Sequence, residues 1–202
     1  MWIKHVPYSE SEGQLRALYD RVKGPDNNVD NIMLAHSLRP HTMEGHMALY
    51  KATLHHARNT IPVWFLEALG VQASLLNGCA YCVEHHFIGM KKQLKDDARA
   101  DAIRAAFEGR DLTSVFPKKE MAALEYASML TRAPDSLTQH AIDSLREAGW
   151  PDREILEINQ VVAYFNYANR TVLGLGVCTD GDILGLSPNA TENPDDWNHR
   201  AA

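Results

Sequence analysis

Residues 63–86 decide the fold, and they read VWFLEALGVQASLLNGCAYCVEHH. The apolar stretch from Val63 to Leu76 contains a single charged side chain, Glu67, and is long enough for about four helical turns. Asn77-Gly78 is typical of a helix end, so a second helix is predicted to begin near Cys79. The segment therefore predicts two consecutive helices joined by a tight turn.

Most of the remaining chain is also predicted to be helical. Apolar side chains recur at helical spacing in residues 15–22, 41–56, 95–107, 118–130, 135–147 and 151–173. No sustained strand alternation and no glycine-rich phosphate loop interrupts this pattern. The sequence therefore predicts an all-α helical bundle, as a single domain over residues 1–202 with an irregular tail from about residue 175.

Two capping signals are visible near the N-terminus. Ser9 and Glu12 form a capping-box pattern ahead of the first predicted helix. Asp30 is placed to cap a short helix that runs through Leu38.

Composition narrows the class of protein. A hydrophobic content of 45% and a charged content of 23% are typical of a globular domain. The net charge of −6 provides no basic surface for nucleic acid, so no nucleic-acid partner is predicted. No apolar run approaches the roughly 18 residues of a membrane-spanning helix, because Asn166, Asn169 and Arg170 interrupt the longest candidate. No membrane association is predicted.

The cysteine content points to chemistry rather than to structural cross-links. The N-terminus shows no signal-peptide pattern, so the protein is predicted to be cytoplasmic. An odd number of cysteines, 3, in such a chain disfavours a disulfide framework and favours metal binding or redox chemistry. Cys178 lies in the predicted tail and is expected to be a bystander.

Cys79, Cys82 and His86 are predicted to share one face of the second helix. At about 100° per residue, Cys82 and His86 lie within about 60° of Cys79, whereas His85 points elsewhere. The unpaired N–H groups at the start of a helix favour negative charge, and a nearby imidazole accepts a thiol proton. Both effects lower a cysteine pKa from about 8.5 toward neutrality, and two cysteines at this spacing can close a disulfide.

Glu67 is the predicted third member of this site. A carboxylate inside an apolar helix is costly to bury unless it is paired or hydrogen-bonded. His86 on the following helix is the expected partner. Such a contact orients the imidazole and raises its basicity, which makes a relay from Glu67 through His86 to a cysteine thiol.

This motif resembles a known family. Glu67, followed by Cys79-x-x-Cys82-x-x-x-His86, resembles the alkylhydroperoxidase D (AhpD)-like branch of the carboxymuconolactone decarboxylase superfamily. The segments 165–170 and 173–177 are similar to the branch described as peroxidase-related proteins. The sequence departs from well-characterised AhpD proteins at Tyr81, where they carry a histidine between the cysteines.

The resemblance implies an AhpD-like helical bundle that assembles into symmetric homo-oligomers. It also implies that Cys82 takes the peroxide oxygen as a sulfenic acid, while Cys79 supplies a proton and then closes the disulfide. Position at the helix start alone favours Cys79 as the nucleophile instead. The predicted function is a thiol-dependent peroxidase in antioxidant defence, with a hydroperoxide substrate, an external dithiol reductant and no metal or organic cofactor.

Other interpretations of the same residues stay open at the level of sequence. Cys79, Cys82 and His86, with His85 or Glu67, have the donor atoms of a tetrahedral zinc site. A general thiol–disulfide oxidoreductase, a decarboxylase-like lyase and a non-enzymatic redox or zinc module are the alternative functions.

Further polar residues are assigned structural roles. The histidines at positions 36, 41, 46, 55 and 56 match no compact ligand spacing and are predicted to be core or surface residues, with a place in the pocket left open for one of them. Asn166, Asn169 and Arg170 are predicted to tie helices together or to hold an oligomer interface.

Overall fold

The computed structural model describes residues 1–109 and 111–198. Nine α-helices lie within these residues: α1 (Gly13–Val22), α2 (Asn31–Leu34), α3 (Pro40–Leu54), α4 (Val63–Asn77), α5 (Ala80–Leu94), α6 (Asp97–Gly109), α7 (Lys118–Arg132), α8 (Gln139–Glu147) and α9 (Asp152–Leu175). Apart from one isolated bridge between His56 and Thr191, the described residues contain no strand pairing. The prediction of an all-α fold is confirmed.

Helix α4 forms the centre of the bundle and contacts helices α5, α7 and α9. Its sequence is apolar around nearly the whole circumference, as expected for a helix with neighbours on every side. Gly70 allows a close approach between α4 and α9, since a Cβ at this position would lie 2.1 Å from the ring of Phe165. Glu67 therefore lies in the middle of the molecule, with 0% of its surface exposed.

A tight turn between α4 and α5 places the cysteines against this central helix. Gly78 has a φ of 70°, a left-handed conformation that glycine adopts without steric cost. The backbone N–H of Cys79 donates to the carbonyl of Ser74 at 2.9 Å and closes the end of α4. Helix α5 then starts at Ala80, with Cys79 at its N-cap. The predicted helix break is thus present at Asn77-Gly78.

Two local predictions near the N-terminus are wrong. Ser9 lies in a short 3₁₀ turn, Tyr8–Glu10, and Glu12 occupies the N-cap of α1, so the capping box does not form. Helix α2 ends at Leu34, and the side chain of Asp30 makes no capping hydrogen bond although Asp30 occupies its N-cap.

Residues 177–198, which we name the C-terminal strap, are irregular and return across the bundle. Trp197 is buried beside Tyr50, with ring centroids 5.9 Å apart. The buried ammonium of Lys51 donates to the Asn189 carbonyl, to Thr191 Oγ1 at 3.2 Å and to the Asp196 carbonyl at 2.9 Å. The strap is therefore fixed to α3 by one buried cation and one buried ring.

Lys51→Met tests this attachment. Hydrogen bonds to a charged group contribute about 1.5–3 kcal/mol each, and methionine keeps most of the aliphatic stem while donating none. We expect faster hydrogen exchange at the backbone amides of the strap and unchanged protection in α4, measured by mass spectrometry. Lys118→Met, at an exposed lysine, is the matched control. Equal strap exchange in both variants would contradict this role of Lys51.

The surface bears on the predictions about membranes and oligomers. None of the helices within the described residues is both long and apolar enough to cross a bilayer.

Leu156, Tyr167 and Leu173 are exposed apolar side chains along α9. Surface of this kind is compatible with contact between copies, and the homo-oligomer stays a prediction.

Candidate active site

The two cysteines of the motif form a buried pair of free thiols. Cys79 is at the N-cap of α5 and Cys82 lies in its first turn. Their sulfurs are 2.7 Å apart, and the exposed fractions of the two residues are 0% and 3%. The backbone thus holds the two side chains in direct contact, where a disulfide can form with little rearrangement.

The contact between the sulfurs shifts the pKa values of the two thiols in opposite directions. Contact with Cys82 lowers the pKa of the Cys79 thiol, while the same contact and burial raise the pKa of Cys82 well above its usual range. These directions belong to the pair, because a thiol beside a thiolate donates its proton to it and holds it more tightly. The pair therefore loses its first proton more easily than an isolated thiol, and its second proton with more difficulty.

A network of amides surrounds the pair. The amide of Asn169 lies against both cysteines and lowers the pKa of each thiol. Asn77 donates to the Asn169 carbonyl oxygen at 2.9 Å and to Asn166 at 3.1 Å, and Asn169 donates to Ser74 at 3.0 Å. The network ties α9 to α4, as predicted for Asn166 and Asn169. Arg170 instead donates to Asn166 of its own helix. Asn169 in addition contacts the thiols, which the sequence did not indicate.

Glu67 and His86 are hydrogen-bonded across helices α4 and α5. Oε2 of Glu67 lies 2.6 Å from Nδ1 of His86. Gly89 makes room for this carboxylate, because a Cβ there would lie 3.2 Å from its Oε1. The ring of Phe165 meets that of His86 edge-on at a centroid distance of 4.5 Å. With Nδ1 held by Glu67, Nε2 is the nitrogen left to exchange a proton.

The second oxygen of Glu67 faces His55. Its Oε1 accepts no hydrogen bond within the described residues and lies 3.7 Å from His55 Nε2, which is 3.0 Å from the hydroxyl oxygen of Tyr50. Burial lowers the pKa of His55 to about 4, so this imidazole is neutral at physiological pH. Glu67 therefore lies between two imidazoles, and only His86 is hydrogen-bonded to it.

A small cavity of about 50 Å³ gives access to one of the two sulfurs. It is lined by polar and aromatic side chains together with residues of the strap, including Cys82, His86, His46, Tyr50, Tyr164, Leu186 and Ser187. Cys79 is not among the lining residues. The sulfur with the lower pKa is thus Cys79, whereas the sulfur that meets the cavity is Cys82. The lower pKa and the access to the cavity therefore belong to different sulfurs.

Two acidic residues, Asp30 and Asp182, lie beside the same cavity. Asp182 of the strap accepts a hydrogen bond from the Tyr81 hydroxyl at 2.8 Å and lies 3.1 Å from His85 Nε2. Asp30, Tyr81 and His85 all line the cavity. Tyr81, which replaces the histidine of the resembled motif, therefore holds the strap through Asp182.

The four predicted site residues lie together in the structure, but one predicted contact between them is missing. Cys79, Cys82, Glu67 and His86 lie at the interface of α4 and α5. Among the described residues no hydrogen bond joins His86 to either sulfur, although His86 and Cys82 line the same cavity. Catalytic hydrogen bonds often tighten only when substrate binds. Proton transfer between His86 and a sulfur therefore stays a prediction.

Sequence reasoning missed the contribution of residues distant in the chain. Asp30 lines the cavity and Asp182 contacts Tyr81 and His85, which also line it, and neither aspartate belongs to the motif. His46, from the group of histidines, lines the cavity as well. His46 is buried, and burial lowers its pKa to about 3, so it behaves as a neutral core histidine. Cys178 is exposed, and its sulfur donates to Asp180. Within the described residues it makes no hydrogen bond with Cys79 or Cys82.

The arrangement gives no support to the zinc alternative. Within residues 1–109 and 111–198, no group of three or more His, Cys, Asp or Glu side chains is placed to hold a metal ion. The Nδ1 atom of His86 is already engaged by Glu67.

The fold and the site define an all-helical protein with a buried dithiol beside a carboxylate–histidine pair. No family model and no curated protein sequence matches the chain. Solved structures do: an alkylhydroperoxidase AhpD core, described as an uncharacterized peroxidase-related protein from Ralstonia eutropha JMP134, has a TM-score of 0.76 at 21% identity, covering 88% of this chain and 90% of that chain.

Two further structures show the same likeness. An uncharacterized peroxidase-related protein from Silicibacter sp. TM1040 has a TM-score of 0.68 at 19% identity and covers 88% of both chains. The debrominase Bmp8 has a TM-score of 0.66 at 21% identity, covering 82% of this chain and 85% of that chain. This chain therefore has the AhpD-like helical fold, as the motif predicted.

Proposed function

We propose that this protein is a thiol-dependent peroxidase that uses Cys79 and Cys82 as its redox pair. The observation that carries the proposal is the 2.7 Å sulfur contact, with Cys82 on a cavity that it shares with the Glu67-bound His86. A nucleophile, a base oriented by a carboxylate and a resolving thiol are the groups that such a reaction requires. The AhpD-like fold supports the same proposal.

The first step is thiolate formation at Cys82. Nε2 of His86 accepts the proton, and Glu67 at Nδ1 stabilises the resulting imidazolium. Asn169 and the start of helix α5 favour negative charge on the sulfur pair. The thiolate then attacks a peroxide oxygen, so that an S–O bond forms and the O–O bond breaks.

The second step closes the disulfide. The Cys79 sulfur attacks Cys82 sulfenic acid and water leaves, which converts two thiols and one hydroperoxide into a disulfide, an alcohol and water. An external dithiol, either a protein or a small molecule, restores the reduced pair by thiol–disulfide exchange. The electrons come from the two thiols, so the scheme requires no metal or organic cofactor.

The proposal is tested by following peroxide consumption with dithiothreitol as the reductant. We expect many turnovers per protein molecule, with disulfide accumulating when dithiothreitol is withheld. Absence of consumption, with both thiols still free after exposure to peroxide, would overturn the proposal.

The size of the cavity predicts a preference among peroxides. A volume of about 50 Å³ holds only a few water molecules, since one water needs roughly 10–15 Å³ by this measure. Hydrogen peroxide fits beside Cys82, whereas a bulky peroxide must first displace Leu186 and Ser187 of the strap. We expect faster oxidation by hydrogen peroxide than by cumene hydroperoxide, measured as second-order rate constants. The reverse order would show that the cavity opens readily.

Reductive debromination is a second candidate, favoured by the structural likeness to Bmp8. A structure of that debrominase contains 2,3,4-tribromopyrrole. The same dithiol has the two electrons needed to replace a carbon–bromine bond with a carbon–hydrogen bond and release bromide. The small cavity of this chain favours peroxide over a substituted ring. Bromide release from tribromopyrrole without peroxide turnover would reverse that ranking.

A further inference from the structure

The cavity beside Cys82 contains a polar group that the scheme above does not use, the carboxyl of Asp30. Asp30 and Cys82 both line this cavity. Oδ1 of Asp30 is buried and accepts no hydrogen bond from the described residues. Buried carboxyl oxygens are normally hydrogen-bonded. An unpartnered carboxyl oxygen beside a reactive thiol is therefore a candidate for a chemical role.

Asp30 occupies the N-cap of α2, but other residues cap this helix. An aspartate at an N-cap ordinarily accepts hydrogen bonds from the first turn of its helix. In α2 the N–H of Asn31 donates instead to Asp182, at 3.0 and 3.1 Å from its two oxygens, and the N–H of Ile32 donates to Tyr81 at 3.2 Å. The strap and helix α5 thus cap α2, which leaves the Asp30 carboxyl free at the cavity wall.

The surroundings of Asp30 favour its neutral form. Tyr81 and His85 face it from α5, Asp182 from the strap and Tyr50 from α3. Burial raises the pKa of Asp30 to about 7; a charged His85 opposes this rise, and Asp182 adds to it. At neutral pH a substantial fraction of Asp30 therefore carries a proton that it can transfer.

We propose that Asp30 is the general acid that protonates the oxygen leaving the peroxide, an inference that rests on the peroxidase function proposed above. When the Cys82 thiolate forms its bond to one peroxide oxygen, the other oxygen departs with the electron pair of the O–O bond. The Asp30 carboxyl transfers its proton to this oxygen, which leaves as an alcohol or as water. The carboxylate then recovers a proton from solvent before the next turnover.

Two residues that line one cavity would thus transfer protons at different steps. His86 removes a proton on the thiol side of the reaction, and Asp30 returns one on the leaving-group side. The family resemblance gives this second role to Cys79, but Asp30 lines the cavity and Cys79 does not. An alkoxide or hydroxide released without a proton is poorly stabilised in a small, partly apolar cavity. Proton transfer by a positioned group typically accelerates such a step by about 10²–10⁴-fold.

Asp30→Asn tests the proposal, because asparagine has the same shape and no transferable acid proton. Two rates are measured for the thiol of Cys82: oxidation by hydrogen peroxide and alkylation by iodoacetamide, whose iodide leaves without protonation. We expect about a hundredfold slower oxidation and nearly unchanged alkylation. Asp180→Asn, at an exposed aspartate of the strap, is the matched control and should alter neither rate.

The pH profile supplies an independent readout. The acid must be protonated, so oxidation of the unmodified protein should decline as pH rises through about 7, and Asp30→Asn should lack this decline. Equal losses in oxidation and alkylation would overturn the proposal, since they would show that Asp30 only shapes the site. An unchanged oxidation rate in Asp30→Asn would also overturn it. If the unmodified protein is alkylated but never oxidised by peroxide, the proposed function itself fails, and the role of Asp30 fails with it.

Discussion

We expect Cys82→Ser to abolish peroxide turnover and Cys79→Ser to react with peroxide only once. The cavity reaches Cys82 and does not reach Cys79, so only the first of these thiols can meet a peroxide oxygen. Serine is a far weaker nucleophile than a thiolate, and its hydroxyl does not form a disulfide. Without Cys79 the reaction should stop at Cys82 sulfenic acid.

The measurement for this prediction is dimedone trapping followed by peptide mapping. We expect one dimedone adduct on Cys82 in the Cys79→Ser variant and none at either site in Cys82→Ser. Cys178→Ser is the control, because Cys178 is an exposed thiol outside the pair and its removal should preserve turnover. An adduct on Cys79 in the Cys82→Ser variant, with turnover retained, would reverse the assigned order of the two cysteines.

Glu67→Gln is expected to slow oxidation of Cys82 by about 10²-fold or more. The carboxylate of Glu67 holds Nδ1 of His86 at 2.6 Å. In the proposed scheme its charge stabilises the imidazolium that forms when the thiol loses its proton. Glutamine retains the size of the side chain and removes the charge. The loss therefore falls on thiolate formation rather than on packing.

Because both oxidation and alkylation need the thiolate, we expect both rates to fall in Glu67→Gln. In Asp30→Asn, by contrast, only oxidation should slow. Raising the pH should recover part of the alkylation rate, since hydroxide can remove the thiol proton without His86 and alkylation does not need the Asp30 proton. Glu84→Gln is the matched control, because Glu84 is a partly exposed residue of α5 that pairs with Arg104 at 2.9 Å. If Glu67→Gln left thiol reactivity unchanged at neutral pH, Glu67 would have only a structural role.

The parts of the site that the sequence predicted depend on local rules. The helix break at Asn77-Gly78 follows from the left-handed conformation that Gly78 adopts, and the cysteine contact follows from their spacing across the first turn of α5. The contact between Glu67 and His86 was predictable for another reason, since a carboxylate in the centre of a bundle needs a partner.

The parts that the sequence did not predict depend on contacts between distant residues. Asp182 lies in an irregular segment without periodicity, yet it caps α2 and binds Tyr81, 101 residues away. Asp30 carries an ordinary capping signal, and nothing local reveals that another carboxylate replaces it. The capping box at Ser9 failed for a local reason, because Ser9 lies in a 3₁₀ turn and Glu12 itself occupies the N-cap of α1.

The most direct test of the account is the intact mass of the Cys178→Ser protein after one equivalent of hydrogen peroxide. The variant is used because it removes the exposed thiol as a competing site of oxidation. The account predicts loss of two hydrogen atoms, with a disulfide between Cys79 and Cys82 in the peptide map and full reversal by dithiothreitol. Two free thiols after complete mixing, or stable addition of oxygen without a disulfide, would contradict it.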